Sequence, residues 1–216
     1  MKTKPILALL TLPVAFGAYV VFHPGIAYAE TPLAKLTPTA FKDTATFTVD
    51  GMHTFIGFDI GHLALSRVQG RFDKLVGSLH IDAKDLSKSN VQFTAQTDSV
   101  DTNVAPRDAD LRSPNFFDTA KYPELTFKST QILKRGRSYL AVGDLSLHGV
   151  TKSVSIPFKA FGPIKDPWGN SRICVVADPI VIHRSDFGIT FDADSISDDV
   201  SVRISLEATQ DKNGTQ

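Results

Sequence analysis

The chain has 216 residues, 42% hydrophobic and 21% charged, and its Lys+Arg count of 23 against an Asp+Glu count of 23 leaves a formal net charge of +0. That is ordinary globular composition, enough for one sizeable core. With no basic excess and no basic run, it does not point to a nucleic-acid partner, and none is expected.

Residues 1–29 read as a secretory signal peptide. Lys2 and Lys4 form a positive start, an apolar run covers 6–22, and Ala27-Tyr28-Ala29 is a small-x-small cleavage pattern, so the mature chain should begin at Glu30. An uncleaved anchor is the alternative, against which Pro13 and the cleavage pattern speak. Residues 30–43, rich in Thr, Pro and Ala, read as a flexible linker. The folded domain is expected over 44–210, with 211–216 a polar tail. Cys174 stands alone, so no internal disulfide forms. Its setting, Ile173-Cys174-Val175-Val176, suits a buried, inert thiol.

From residue 44 onward, alternation with a period of two dominates, the signature of strands with one apolar face. Phe47 and Val49 come first, then Ile56, Phe58, Ile60 and His62 on one parity. Phe72, Leu79 and Ile81 are assigned to one strand bent at Gly77. A polar turn at 85–90 precedes Val91, Phe93 and Ala95; Leu125 and Phe127, the run 140–147, and Val154, Ile156, Phe158 and Ala160 follow. The turn Asp166-Pro167-Trp168-Gly169-Asn170 precedes a continuous apolar run over 173–182, expected to be covered on both faces, and Val200, Val202, Ile204 and Leu206 close the series. About eight antiparallel strands joined mostly by short turns make either a sandwich or a barrel. Eight strands is the size at which a barrel can hold one small ligand.

One stretch departs from this pattern: Pro106-Arg107-Asp108-Ala109-Asp110-Leu111-Arg112-Ser113-Pro114-Asn115-Phe116-Phe117-Asp118. Pro106 fits the first turn of a short helix, and Ser113-Pro114 should end it. Arg107 and Leu111 are i,i+4 neighbours there, as are Asp108 and Arg112. The helix would bury Leu111 and turn its arginines to whatever the fold encloses, or spend them on ordinary salt bridges.

The usual catalytic signatures are missing: no nucleophile elbow, no His-Glu-x-x-His, no phosphate-binding glycine loop. The histidines of the domain stand singly, so neither a metal nor a cofactor is expected. His62 shares the apolar parity of Phe58 and Ile60. It reads as a satisfied core histidine or, in a hollow barrel, as one of the few polar groups in an apolar pocket.

These residues resemble the bacterial YceI-like family, lipocalin-like polyisoprenoid-binding proteins. The matching motifs run in order: Asp50 with His53 and Thr54; Phe58-x-x-x-His62-Leu63; Gly70-Arg71-Phe72 with Gly77; the helix stretch with Phe116-Phe117-Asp118 and Lys121-Tyr122-Pro123; Gly143-x-Leu145-x-Leu147-His148-Gly149; Asp166-Pro167-Trp168-Gly169-Asn170; and Arg184-Ser185-Asp186-Phe187-Gly188. The resemblance covers 44–208. It implies an all-β, antiparallel eight-stranded lipocalin-like barrel with one short helical insertion and an internal hydrophobic cavity. Its implied ligand is an isoprenoid lipid, a polyprenyl pyrophosphate or an isoprenoid quinone; the signal peptide adds a periplasmic location, transient membrane contact is compatible with such a ligand, and the oligomeric state is left open, a homodimer among the options. Ile56, Phe58, Ile60, Phe93, Phe127, Ile156 and Phe158 would hold the tail; Arg107, Asp108, Arg112, His62 and Arg184 would meet the head. One departure is Asp110, where the family commonly has a histidine. The rivals are an enzyme using His62 or Asp108 as general acid or base, and a solid-cored interaction or stress protein with no lipid ligand.

Overall fold

The structure is a computed structural model that describes residues 42–211. The expected signal peptide, nearly all of the linker, and the tail from 212 lie outside the described residues. The strands are β1 (Ala45–Val49), β2 (Phe55–His62), β3 (Ser66–Phe72), β4 (Leu75–Ile81), β5 (Asn90–Gln96), β6 (Val100–Asp101), β7 (Glu124–Arg135), β8 (Ser138–Leu147), β9 (Val150–Lys165), β10 (Ser171–Ala177), β11 (Ile180–His183) and β12 (Ile196–Gln210). The one α-helix among the described residues, α1 (Ala105–Arg112), falls between β6 and β7.

All pairings are antiparallel. The order β1-β4-β5-β7-β8-β9-β10-β12 closes on itself through β1–β12, which makes an eight-stranded antiparallel barrel, as expected. The long β12 is paired along both of its edges by two strands each. β1 and β2 follow one another along one edge, with Val49 opposite Ala208 and Phe55 opposite Ser205; β10 and β11 do the same along the other. β3 and then β6 extend the sheet from β2.

Strand parity places the core. Phe47, Phe93, Phe127, Ile156, Phe158, Ile204 and Leu206 are buried while their neighbours in sequence face out. Two sequence expectations are corrected. Phe72 ends β3 while Leu79 and Ile81 lie in β4, because the chain turns at Asp73-Lys74; Gly77 lies inside β4. The run 173–182 is not one strand covered on both faces. Asp178-Pro179 divides it into β10 and β11, and Val176 and Val181 are exposed, since proline cannot donate to a strand ladder. Cys174 is half-buried rather than buried, and burial pushes its thiol above the ordinary value.

The barrel has two unlike halves. Around Phe47, Leu79, Ile132, Tyr139, Ala141, Phe158, Ala160, Ile173 and Ala208 the interior is filled with buried side chains. There Tyr139 and Phe158, paired across β8 and β9, stack at 5.3 Å. The other half is formed by β2, by the end of β8, the start of β9, and the first half of β12. It is hollow.

Candidate functional site: an apolar cavity with a polar rim

The hollow half encloses a cavity of about 330 Å³, within the usual size range of ligand sites, roughly 300–1,000 Å³. Its wall is almost entirely apolar: Ile56, Phe58 and Ile60 from β2, Ile156 from β9, and Val200, Val202 and Ile204 from β12, with Phe93 and Leu125 at its inner limit. The alternation of β2 supplies the first three. On that strand, Gly70 of β3 lies opposite Phe58, and a Cβ at Gly70 would strike the Phe58 ring. Only glycine leaves the ring room to lie flat over the neighbouring strand.

α1 closes one side. Pro106 stands in its first turn and Ser113-Pro114 ends it; Asp108 in the first turn and Arg112 in the last complement the helix dipole. Arg107, Asp110 and Leu111, at i, i+3 and i+4, share the face that lines the cavity. Beyond the helix, Phe117 packs edge-on against Phe72 at 5.5 Å, and Phe116 packs likewise against Phe191 at 5.5 Å. These contacts tie the helical segment to β3 and to the loop before β12.

Of the residues expected to hold a tail, Ile56, Phe58, Ile60, Phe93 and Ile156 line the cavity. Phe127 and Phe158 do not. Phe127 is 2% exposed and stacks behind Phe93 at 5.4 Å, and Phe158 belongs to the filled half. Sequence parity identifies inward-facing residues but not how far along the barrel the hollow extends.

The residues expected to meet a head group separate more sharply. His62, Arg107 and Arg184 line the cavity; Asp108 and Arg112 do not. Asp108 is buried and accepts from the Thr102 backbone N–H at 2.8 Å and from its hydroxyl at 2.5 Å. Arg107 donates to the same Thr102, from Nε to the hydroxyl at 2.8 Å and from Nη2 to the carbonyl at 3.0 Å. Thr102, which sequence reading passed over, thus joins the two helix residues and fixes the helix start, where Val104 offers no side-chain cap. Arg112 donates to the carbonyls of Asp98 at 2.7 Å and Val100 at 2.8 Å, which fastens the helix to β6.

Arg184 is 5% exposed. It donates to the carbonyls of Ser197 (3.0 Å), Ile189 (3.2 Å), Phe191 (2.7 Å) and Ile196 (3.0 Å). It shapes the loop before β12 from within and pairs with no carboxylate. Its near neighbour in sequence, Asp186, lies 3.5 Å from Lys152 instead. The remaining polar lining is His62, Asp110 and Asp192. Asp110 accepts only a long bond from Ser113, at 3.4 Å, and the side chains of His62 and Asp192 have no hydrogen-bond or ion-pair partner among the described residues.

A second polar cluster lies on the outer wall. Asp50, His53 and Glu207 bring oxygen and nitrogen atoms within 4.8 Å of one another. Arg172 already donates there, to Asp50 at 2.9 Å and Glu207 at 2.5 Å, and also to Asp166 at 2.9 Å. A guanidinium fork in that position satisfies the carboxylates as a cation would, so the cluster is an ion-pair node of the wall. Hydrogen bonds from His53 and Arg172 hold the Asp50 carboxyl at about 2. Burial pushes Asp166 up, but hydrogen bonds from Asn170, Arg172 and two backbone N–H groups together outweigh it and hold it at about 2 as well. Asp50, Glu207 and Asp166 in turn raise Arg172 above its ordinary value.

Comparison with known proteins agrees with this architecture. Among curated proteins, a UPF0312 protein of Pectobacterium atrosepticum is 42% identical over 166 residues, 77% of this chain and 86% of its own length. The protein YceI of Escherichia coli is 42% identical over 163 residues, 76% of this chain and 85% of its own. Among solved structures, BcnA of Burkholderia cenocepacia superposes with a TM-score of 0.67 at 21% identity, covering 74% of this chain and 99% of that one. A polyisoprenoid binding domain from Saccharophagus degradans superposes with a TM-score of 0.61 at 22% identity, covering 78% and 100%. Residues 47–208, which contain the whole barrel lining, match the YceI-like domain, and the chain belongs to that family.

Proposed function

We propose that this protein binds and carries an isoprenoid amphiphile, with the tail in the hollow half of the barrel and the head at the rim formed by His62, Asp110 and Asp192. The observation that carries this reading is the cavity itself: about 330 Å³ of space, open at its rim and with an apolar wall, in a barrel whose other half is filled. The description of the S. degradans neighbour as a polyisoprenoid binding domain supports the same ligand class. Each buried methylene is worth roughly 0.8 kcal/mol, so about 15 of them offer on the order of 12 kcal/mol gross. Association and ordering costs of roughly 4–15 kcal/mol take much of that, so affinity should rise steeply with tail length.

The rim favours a neutral, hydrogen-bonding head over a diphosphate. Both guanidiniums that line the cavity are committed, Arg184 to backbone carbonyls and Arg107 to Thr102, while Asp110 and Asp192 add negative charge. A polyanionic head would meet a lining with no net positive charge, because Asp110 and Asp192 offset Arg107 and Arg184. An imidazole at His62 can donate to or accept from a quinone oxygen or an alcohol. A carrier rather than an enzyme is proposed because Asp108, the candidate base, is held by Thr102, and His62 has no second group to orient it as a catalyst. Residues 1–29 are proposed to direct the chain to the periplasm.

Native mass spectrometry of protein from its own host, followed by solvent extraction and lipid analysis, tests the reading. A roughly stoichiometric isoprenoid with an uncharged head is expected. Protein that flies bare and takes up neither a quinone nor a polyprenyl phosphate in vitro rejects it. N-terminal sequencing of the exported form should begin at Glu30.

A further inference from the structure

The β2–β3 hairpin ends in three residues, Leu63-Ala64-Leu65, whose chemistry runs against their position. Leu65 donates its backbone N–H to the His62 carbonyl at 3.0 Å, so His62 to Leu65 form a tight turn. Its two central residues, Leu63 and Ala64, have φ of 52° and 54°. Turns of this hand favour Asn and Gly, which tolerate the left-handed region and are at home in water. Here the same positions hold a leucine and an alanine. Leu63 is 52% exposed and Leu65 86%. No contact within the barrel accounts for two leucines at a solvent-facing tip that polar residues would suit better.

The tip stands beside the cavity. Gly61 and His62, the residues just before it, line the cavity, as does Ile196, which pairs with His62 across β12. The Leu63 N–H donates to the Ser195 carbonyl at 2.7 Å, which fastens the tip to the loop carrying Phe191 and Asp192. Phe191 lines the cavity and is also 46% exposed. Exposed apolar residues therefore meet the rim from two elements.

We propose that the Leu63-Ala64-Leu65 tip, together with Phe191, docks the cavity rim on a zwitterionic lipid bilayer surface, from which the tail enters. This rests on the proposed lipid-carrying function. Charge selects the surface. Asp110 and Asp192 stand at the rim, and Asp194, Asp198 and Asp199 follow Asp192 along the loop and the start of β12; all five are exposed. Of the nearby cations, Arg67 pairs with Asp59 and His183 with Asp199, while Arg107 and Arg184 point their N–H groups at Thr102 and at backbone carbonyls and are outnumbered by the exposed carboxylates. Such a rim is repelled by an anionic bilayer at low ionic strength and tolerated by a neutral one. Apolar side chains at the headgroup boundary then supply the attraction.

The test uses the mature protein, phosphatidylcholine vesicles and dansyl-labelled farnesol as probe. Wild-type protein should float with phosphatidylcholine vesicles, and less so when phosphatidylglycerol replaces part of the lipid, the difference shrinking as salt is added. The variant Leu63→Asp with Leu65→Asp should take up probe from vesicles at least about tenfold more slowly. Its affinity for probe dispersed in water should stay unchanged. Trp168→Asp, at an equally exposed apolar residue on the β9–β10 turn, should behave as wild type. Equal uptake from vesicles by the double variant and wild type overturns the proposal, as does its loss of affinity for dispersed probe, which would make the leucines part of the binding site. If wild-type protein floats with no vesicle, the proposal also falls. Failure of wild-type protein to bind dispersed probe, by contrast, removes the lipid-carrying function itself.

Discussion

The two halves of this barrel share the strands β8, β9 and β12 and do opposite things. Along β8, Tyr139 and Ala141 sit in the filled half, while Leu145 and Leu147 line the cavity. Along β9, Phe158 and Ala160 are packed, while Val154 and Ile156 face the hollow; along β12, Leu206 and Ala208 are packed, while Val200, Val202 and Ile204 face it. Residue type hardly differs between the halves. What differs is what stands opposite. In the filled half, Tyr139 and Phe158 stack beside the small buried residues Ala141, Ala160 and Ala208. In the hollow half, α1 and the segment after it hold the walls apart, anchored by Phe116, Phe117 and the Thr102 hub. The lesson is that a cavity is made by what props the walls open, and the propping groups lie outside the strands.

The largest effect should come from emptying the packed interior behind the cavity wall. Phe127→Ala removes a ring that is 2% exposed and stacked on Phe93, so it should cost about 3–5 kcal/mol of stability in denaturant unfolding. Phe58→Ala, at a half-buried ring that already borders empty space, should cost clearly less while weakening ligand binding. Equal losses at the two positions would break the division between halves.

The next test fills the hollow half. Ile60 is a half-buried lining residue, and Ile60→Trp should occupy the cavity. Ligand affinity should fall by roughly a hundredfold, about 2.8 kcal/mol, with the melting temperature kept or raised because the new ring finds contacts that were missing. A tryptophan at Ala95 would be a poorer probe: that residue is 0% exposed and does not line the cavity, so the fold itself would have to give way.

Much of this arrangement was legible in the sequence, for a definite reason. Parity along a strand is a local property, so Ile56, Phe58 and Ile60 were placed on one inward face without coordinates. The helix was equally local: Pro106 and Ser113-Pro114 bracket it, and it runs Ala105–Arg112. The break between β10 and β11 was also written in Pro179, a residue that a strand interior excludes. What could not be read was where arginines spend their N–H groups. Arg112 and Arg184 both bind backbone carbonyls, of 98–100 and 189–197, and carbonyls carry no sequence signature. Phe127 and Phe158 were assigned to a tail site for a related reason, because depth along the barrel depends on how far the hollow reaches from the helix.

The arginines give a smaller effect that sharpens the comparison at the rim. Arg112→Ala removes two charged hydrogen bonds to backbone carbonyls, one of them beside β6, and should lower stability by about 1.5–3 kcal/mol. Ligand affinity should hold once folding is complete. Arg107→Ala, which opens the Thr102 hub at the cavity wall, should lower stability and affinity together. Thermal unfolding and probe titration on the same samples separate the two. A loss of affinity in the Arg112 variant alone would return it to the head-group site.

The smallest effect is expected at the outer-wall node, and it depends on pH. The carboxyls of Asp50 and Asp166 are lowered from 3.8 to about 2 in the folded protein. A lowered carboxylate stabilises the fold above its unfolded value, and that contribution is lost as pH falls through the folded one. Stability should therefore be insensitive to this node above about pH 4 and should decline between about pH 4 and 2. Arg172 links the two aspartates to Glu207 across the seam where β1, β10 and β12 meet. Arg172→Met should remove part of the shift in both carboxyls, His53 and Asn170 keeping the rest, and make that part of the acid profile shallower, at the cost of a lower melting temperature at neutral pH. Because the node is partly solvated, salt should screen it and reduce the difference between variant and parent. Ligand uptake at neutral pH should be untouched, since none of these groups lines the cavity. An acid profile of the Arg172 variant with the same slope as the parent would locate the acid sensitivity at other carboxylates, such as Asp198, which Ser185 lowers beside the cavity rim.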